Sequence, residues 1–246
     1  MEEIKVNGIV LSTTPYKDND MLLRIFTPEI GKITAIIKGV KSAKAKLKWA
    51  ALPFSFCEWI LAKKGDFYVV TNATSFDTFF ELTQDYDNYV MASMLLEIVD
   101  IVLRPNLLAE WVFIDLINTI KNITYQKEVN AKFYIIKFML NITTYLGYAL
   151  SFDSCDNCNM PIADEILLSF DSHSFCCRSC CSGYGMLLSR QQYNLLKIIN
   201  NSTDEKLSSI KANDEVLLAC INSLKFNLES ILDYKIKSFK QLVENG

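Results

Sequence analysis

The chain has 246 residues, half of them hydrophobic, and a formal net charge of −3. This length and composition exclude global disorder and provide enough apolar side chains for one large domain or two to three small ones. The N-terminus, MEEIKVNGIV, is unlike a secretory signal, and no apolar run reaches the length of a membrane span. We therefore expect a cytoplasmic protein with no membrane partner. In the cytoplasm thiols stay reduced, and clustered cysteines bind metal more often than they form disulfides.

Charge is distributed unevenly along the chain. Residues 1–80 contain eleven Lys or Arg and eight Asp or Glu, a net charge of +3, whereas the remainder contains fourteen and twenty, a net charge of −6. No acid lies between Glu29 and Glu58, and six lysines fall in that interval: Lys32, Lys38, Lys41, Lys44, Lys46 and Lys48. A local positive field of this kind matters more to a polyanion than the net charge does.

The first 80 residues predict β-structure. IKVNGIVLST and DMLLRIFT are rich in strand formers, the turn PEIG precedes KITAIIK, PFSFCEWILAK alternates, and FYVVTNATSF supplies a fifth strand. Five short strands with hairpin turns and one basic connection fit a small Greek-key barrel of the OB type. A generic SH3-like barrel would give almost the same pattern.

After Asp85 the hydrophobic pattern takes on a helical period. YDNYVMASMLLEIVDIVL and AEWVFIDLINTIKNI predict two helices, and NAKFYIIKFMLNITTYLGY predicts a third with Asn130 as its N-cap and Gly147 near its end. Beyond a cysteine-rich segment, SRQQYNLLKIIN begins at a capping Ser189, and DEVLLACINSLKFNLESIL predicts a last long helix. The sequence therefore predicts an α+β protein, with a barrel domain over residues 1–80 and a helical domain over residues 81–246 that carries a cysteine insertion at about 150–185.

Six of the eight cysteines lie in the segment SCDNCNMPIADEILLSFDSHSFCCRSCCSGYG, residues 154–185. Cys155/Cys158 and Cys177/Cys180 are Cys-x-x-Cys pairs, each of which directs two sulfurs toward one point. The residues between the pairs can form a short hairpin that brings the two pairs together. This spacing predicts a structural zinc site, because four sulfurs leave no open coordination position for catalysis.

The register of the second pair stays open at this point. Cys176 with Cys180, or Cys177 with Cys181, would serve with one more intervening residue. His173, the only histidine, is a further candidate ligand, although a solvated loop position is favoured. Two cysteines outside the segment, Cys57 in an aromatic strand and Cys220 on an apolar helix face, are expected in the core.

The sequence gives little support to an enzymatic function. With a single histidine, no Ser-His-Asp or Cys-His set can be assembled convincingly, and the spaced glycines of a phosphate-binding loop are absent around Lys41 and Ser42. The paired acids of YKDND and FDSCDN are expected to be solvated. We therefore interpret the protein as a non-enzyme.

The N-terminal stretch contains a spaced set of residues: Pro15, Tyr16, Leu22, Leu23, Phe26, Thr27, Gly31, Lys32, Lys38, Gly39, Pro53 and Phe54. This set is similar to the barrel of the RecO recombination-mediator family, and the resemblance extends over nearly the whole chain. The apolar helix, the Leu-Gly-Tyr at residues 146–148 and the two cysteine pairs follow in the family's order. The chain departs from the family at His173-Ser174, where a glycine pair is common, and in its acidic net charge.

The resemblance implies an OB-fold DNA-binding domain followed by an all-α domain with an inserted four-cysteine zinc knuckle. Family members bind single- and double-stranded DNA, anneal complementary strands and partner RecR. They also contact the C-terminal tail of the single-strand-binding protein and help RecA load on strands coated by that protein. A cytoplasmic, nucleoid-associated location follows from this role.

Two hypotheses of different classes follow for the mechanism. In the first, Lys38, Lys41, Lys44, Lys46 and Lys48 neutralise DNA phosphates, assisted by Arg24 and Lys32, with Tyr16, Trp49 and Phe67 as candidate base-stacking residues. In the second, the protein is mainly an interaction module whose helical body captures the acidic, Phe-ending tail, with Lys121, Lys127, Lys132 and Lys137 as candidate rim residues. A zinc-ribbon RNA-binding factor is a remote third reading.

Overall fold

A computed structural model gives the fold and describes residues 3–65, 67–162, 165–181 and 183–238. The described residues form two compact units. One comprises the residues up to Ile120 together with Ser238, and the other comprises Lys121–Lys237. No helix in the described part of the chain combines the length and apolar character needed to cross a membrane.

A closed five-stranded barrel dominates the first unit. Its strands are β1 (Glu3–Tyr16), β2 (Asp20–Thr27), β3 (Gly31–Ile37), β4 (Phe56–Lys64) and β5 (Phe67–Asp77). They are ordered β1-β2-β3-β5-β4, with β1 pairing antiparallel to β4 and β3 pairing parallel to β5. Parallel strands need a crossover, and here the crossover from β3 to β5 consists of the long β3–β4 connection and β4 itself. This arrangement confirms the predicted OB-like barrel.

Alternate strand residues fill the barrel interior. Trp59 is fully buried and its indole Nε1 donates a hydrogen bond to the Gly8 carbonyl at 2.9 Å, which satisfies its one polar atom. Cys57 is also fully buried, as predicted, and burial raises the pKa of its thiol to about 12. Gly31 begins β3 with φ +74°, and a Cβ there would lie 2.5 Å from the Leu107 carbonyl oxygen. The turn into β3 therefore requires glycine.

Two helices follow the barrel: α1 (Tyr86–Val102) and α2 (Glu110–Tyr125). Asp85 caps α1, its side chain accepting a hydrogen bond from the Asn88 backbone N–H. The Phe113 ring lies 5.3 Å from the Phe26 ring and 6.0 Å from the Phe56 ring, both on barrel strands. The start of α2 thus packs on the outside of the barrel.

The second unit combines helices with a small antiparallel sheet. Its helices are α3 (Ala131–Tyr145), α4 (Arg190–Asn200), α5 (Asp204–Leu207) and α6 (Asp214–Leu232). Its strands are β6 (Ile166–Ser169), β7 (Ser174–Cys177) and β8 (Gly185–Leu188), ordered β7-β6-β8. Asn130 caps α3 and Ser189 caps α4, as predicted, and Cys220 is buried on α6. The predicted hairpin between the cysteine pairs is β6–β7, and β8 adds an unpredicted third strand.

Candidate metal centre and nucleic-acid interface

Four cysteine sulfurs converge at one end of the three-stranded sheet. The Sγ atoms of Cys155, Cys158, Cys177 and Cys180 all lie within 4.8 Å of one another. Cys177 Sγ is 3.6 Å from that of Cys155, 3.8 Å from that of Cys158 and 2.9 Å from that of Cys180. Among the described residues, this is the group of His, Cys, Asp or Glu side chains whose geometry suits a metal ion.

Local backbone structure explains why the sulfurs meet. The Asn159 N–H donates to the Cys155 carbonyl at 2.9 Å, and the Cys180 N–H donates to the Cys177 carbonyl at 3.0 Å, so each Cys-x-x-Cys segment closes into a tight turn. Cys177 is the last residue of β7. The β6–β7 hairpin therefore carries the second turn back to the first.

Hydrogen bonds polarise the thiols even without an ion. Burial raises the pKa of Cys155, but the backbone N–H groups of Cys177, Cys158 and Asn157 outweigh this effect and lower it to about 6. The hydrogen bond between Cys177 and Cys180 lowers the pKa of Cys177 and raises that of Cys180 to about 12. Two of the thiols are thus biased toward the thiolate form that binds metals.

The chemistry of these donors fits zinc. A tetrahedral zinc with Zn–S bonds of about 2.3 Å places neighbouring sulfurs about 3.8 Å apart. Two of the separations at Cys177, 3.6 and 3.8 Å, match that edge, and the third, 2.9 Å to Cys180, would have to open. A four-thiolate shell is closed, which suits a structural ion and leaves no position for a substrate.

The other two cysteines of the segment are bonded to each other. Cys176 and Cys181 form a disulfide. They therefore do not belong to the four-sulfur group, which contains Cys177 and Cys180. The disulfide departs from the expectation that clustered cysteines bind metal, and its physical reason is local: the knuckle turn brings its two flanking residues together.

His173, the sole histidine, lies away from the sulfurs. Its Nδ1 is 3.1 Å from Oδ1 of the buried Asn227, and its ring packs edge-on against Tyr148 with centroids 4.7 Å apart. It is partly buried and sits in the turn between β6 and β7 with φ +51°. The side chain thus packs against α6 rather than occupying the favoured solvated loop position.

The five loop lysines are all exposed. Lys38, Lys41, Lys44, Lys46 and Lys48 follow β3 in the connection to β4. The connection is anchored to the barrel: Val40 is buried, and the Gly39 N–H donates to Asp20 Oδ1 at 2.8 Å. A second anchor is the Lys41 N–H, which donates to the Asn19 carbonyl at 3.1 Å. We name these five lysines the basic loop.

Arg24 and Lys32 contact Asp100 of α1. Arg24 Nη1 donates to Asp100 Oδ2 at 2.7 Å, and Lys32 Nζ donates to Asp100 Oδ1 at 3.2 Å and to its backbone carbonyl. The Arg24 side chain is 58% exposed, whereas that of Lys32 is 12% exposed. The Arg24 guanidinium is therefore accessible from solvent, whereas the Lys32 ammonium lies in a shielded ion pair within the first unit.

The candidate stacking residues differ in exposure. Phe67 is 45% exposed at the start of β5. Tyr16 is half-buried with the Lys17 ammonium 5.3 Å from its ring centre, and Trp49 packs against the barrel core. Phe67 is therefore the most accessible of the three.

The candidate rim lysines of the helical body differ in their local contacts. Lys132 pairs with Asp214 at 3.2 Å, and Lys137 Nζ donates to the Asn200 carbonyl at 2.8 Å, at the C-terminus of α4. Lys121 and Lys127 are exposed.

A different cationic groove exists in the second unit, of about 490 Å³. Its lining residues come from α4 and from the segment before α6: Arg190, Gln191, Asn194, Leu195, Ile198, Ile210, Lys211 and Ala212. Ile198 is 50% exposed on the otherwise polar outer side of α4. An apolar residue at that position is the signal that could have indicated the groove from the sequence.

Comparisons with known proteins agree with this architecture. Residues 1–79 match the family model described as Recombination protein O N terminal, and residues 83–238 match Recombination protein O C terminal. The chain is similar to a DNA repair protein RecO from Clostridium perfringens (strain 13), with 32% identity over 251 residues covering 98% of each chain. A DNA repair protein RecO from Clostridium novyi is 29% identical, covering 86% of this chain and 82% of the relative.

A more distant relative covers the full length. The DNA repair protein RecO of Caldicellulosiruptor bescii is 25% identical over 99% of this chain and 100% of its own. The barrel lies within the N-terminal match, and the second unit with its cysteine insertion lies within the C-terminal match. The chain belongs to the RecO family of DNA repair proteins.

Proposed function

We propose that the protein is a non-enzymatic recombination mediator that binds single- and double-stranded DNA through its barrel and anneals complementary strands. The basic loop carries this proposal, because its five lysines are exposed, lie in an interval without acids and are anchored to a rigid barrel. Lysines in this arrangement bind phosphates without regard to base sequence. Annealing follows when two strands are held together with their charge screened.

The two domains would have different roles, DNA binding and contact with protein partners. The barrel domain, residues 1–80, would hold the DNA through the basic loop, with Arg24 at the margin, Lys32 a weaker contributor and Phe67 as the candidate stacking residue. The helical domain, residues 81–246, would contact RecR and the single-strand-binding protein, and so help RecA to load. Such a protein would work in the cytoplasm, associated with the nucleoid.

Paired charge variants test the DNA interface. Lys44→Gln with Lys46→Gln should weaken binding to a single-stranded oligonucleotide several-fold, since two phosphate contacts are lost. Lys63→Gln with Lys64→Gln, which removes two exposed lysines from β4 of the same barrel, is the matched control. Fluorescence anisotropy at low salt measures both. Equal effects of the two pairs would mean that no defined site exists on the basic loop.

A second candidate function rests on the groove beside α4. Leu195, Ile198 and Ile210 offer an apolar floor, and Lys211 an exposed cation at its edge. An acidic peptide that ends in phenylalanine, such as the tail of the single-strand-binding protein, would place its ring on the floor and its carboxylates near the cation. This would make the protein chiefly an interaction module with weak DNA affinity of its own.

Peptide titration tests this second function. Lys211→Glu should weaken binding of a labelled acidic, Phe-ending peptide about tenfold, because it reverses a charge at the groove. Lys206→Glu makes the same change at an exposed position of α5 outside the groove. Binding that is insensitive to Lys211 would place the peptide elsewhere.

The four-cysteine centre has a structural role in this proposal. Cys155, Cys158, Cys177 and Cys180 would hold a zinc ion, which supplies a fixed cross-link between the two turns. Metal analysis of the purified protein, with Cys158→Ser as the control variant, measures this occupancy. One zinc per chain is expected in the wild type and a loss in the variant.

A further inference from the structure

The disulfide encloses one half of the candidate metal centre. Cys176 directly precedes the ligand Cys177, and Cys181 directly follows the ligand Cys180. The bond therefore closes a six-residue ring, residues 176–181, that contains both ligands of the second pair. All eight cysteines are thereby accounted for: four in the sulfur group, two in the bond, and Cys57 and Cys220 in the cores.

Contacts connect the bonded cysteines to the metal-binding turns. The Cys181 N–H donates to the Cys177 carbonyl at 3.2 Å. Asn157, which lies inside the first Cys-x-x-Cys pair, directs its Nδ2 to the Cys180 carbonyl at 2.9 Å and to Cys181 Sγ at 3.4 Å. The position of Cys181 is thus tied to both turns.

We propose that Cys176 and Cys181 are a reversible redox site, and that their disulfide tightens metal binding at the neighbouring four-cysteine centre. The inference rests on the proposed metal-binding role of that centre. Closing the 176–181 ring removes conformational freedom from the turn that presents Cys177 and Cys180, so less freedom is lost when the ion binds. The bond also removes two competing thiols, which leaves only one set of four.

The exposure of the two cysteines determines which of them reacts first. Cys176 is fully buried, whereas Cys181 is partly exposed. The Cys181 thiolate would attack a low-molecular-weight disulfide such as oxidised glutathione, releasing one glutathione thiol and forming a mixed disulfide. Cys176 would then displace the second glutathione. Two protein thiols are oxidised by two electrons, and one glutathione disulfide is reduced to two thiols.

Linkage makes the effect reciprocal. If the disulfide raises the affinity for the ion, the bound ion must stabilise the disulfide by the same factor. Coupling between two sites of this kind is on the order of tenfold. The metal-loaded protein should accordingly form the bond in a more reducing glutathione buffer than the metal-free protein.

Mass spectrometry of the full chain tests the bond. Zinc-loaded protein is equilibrated in buffers of varied glutathione ratio, alkylated and digested with trypsin. Because Arg178 lies between Cys176 and Cys181, cleavage there leaves two peptides joined only by the disulfide. We expect the joined peptides in oxidising buffer with zinc still bound. Failure of the bond to form while zinc stays bound would overturn the proposal.

Chelator competition tests the coupling. The oxidised protein should bind zinc on the order of tenfold more tightly than the reduced protein. Cys181→Ser, at the partly exposed position, should remove the redox dependence and match the reduced wild type, and Cys176→Ala should do the same if it folds. Equal affinity of the oxidised and reduced wild type would contradict the coupling. If neither the oxidised nor the reduced wild type binds zinc, the proposed metal centre is contradicted as well. The peptide measurement on metal-free protein would then still show whether the disulfide forms.

Discussion

Asp100 holds two cationic side chains of the barrel at one point. Its carboxylate accepts from Arg24 and Lys32, and also from the Ser12 hydroxyl at 3.2 Å. The side chains of Asp100 and Lys32 are each 12% exposed, so this ion pair is shielded from solvent. The sequence shows the charge of Lys32 but not its partner Asp100, which lies 68 residues away.

Asp100→Asn should therefore destabilise the first unit. The change leaves the Lys32 ammonium nearly buried without a counter-charge, at a cost of about 3 kcal/mol in the free energy of unfolding. Urea denaturation followed by tryptophan fluorescence measures the loss. Glu58→Gln is the control, because its pair with Lys5 lies at the surface and should contribute less than about 1 kcal/mol. A change of similar size in the two variants would refute the structural role of Asp100.

The Asp214 carboxyl makes the stability of the folded state depend on pH. Burial raises the pKa of its carboxyl, but hydrogen bonds from Lys132 and Asn130 and the charge of Lys132 outweigh this effect and lower the pKa below its usual 3.8. A lowered pKa stabilises the folded state above the unfolded pKa, and that contribution disappears as pH falls through the lower folded value. Lys132→Gln should raise the pKa of Asp214 toward its ordinary value in an NMR titration, whereas Lys127→Gln, at an exposed lysine, should leave it unchanged. An unaltered Asp214 titration in Lys132→Gln would contradict the assignment.

At the scale of elements, the cysteine insertion has short strands but buries an apolar face that includes Ile166, Leu168 and Phe175. Strands β6, β7 and β8 have four residues each. Sheets this short are marginal by themselves, and the packing of Phe175 against Tyr193 of α4 supplies part of the support that this sheet needs. A metal cross-link between the turns at Cys155 and Cys177 would add to that support.

Zinc removal should loosen this insertion selectively. After treatment with a strong chelator, amide hydrogen exchange should accelerate in residues 166–181, because the two turns lose their shared ligand. Peptides from β1–β5 of the barrel should be unaffected and serve as the internal control. Uniform acceleration throughout the chain, or none in the insertion, would contradict a local structural role for the metal.

The sequence predicts long regular elements better than short or non-local ones. The five barrel strands and the helices α1, α2, α3, α4 and α6 follow from hydrophobic period and capping residues, because both act locally. Strand β8 (GMLL) and the one-turn α5 were not predicted, since four residues are too few to show a period. The β6–β7 hairpin was predicted because the cysteine spacing required it.

For the candidate sites, too, the sequence predicts local patterns better than contacts that depend on the fold. Cysteine spacing predicts a four-ligand metal site, since the chemistry of the metal fixes the geometry. The bonding of Cys176 to Cys181 and the packing of His173 on Tyr148 depend on the folded turn, so the sequence left several ligand sets open. The groove beside Ile198 also needs residues 210–212, whose position relative to α4 depends on the fold of the intervening residues.

At the scale of the whole molecule, charge is separated along the chain. The net charge is −3, yet residues 1–80 carry +3 and the basic loop lies in an interval without acids. An acidic protein can therefore present a basic surface to a polyanion, although its remaining residues carry a net charge of −6. The separation also distinguishes the two proposed functions, since only direct DNA binding depends on the basic loop.

The salt dependence of DNA binding measures how many phosphates the basic loop contacts. Affinity for a single-stranded oligonucleotide is measured over a range of salt concentrations for the wild type and for a variant with Lys38, Lys41, Lys44, Lys46 and Lys48 all changed to Gln. Five phosphate contacts predict a slope of about −3.5 for log affinity against log salt in the wild type and a slope near zero in the variant. A variant that retains the wild-type slope and affinity would contradict the account.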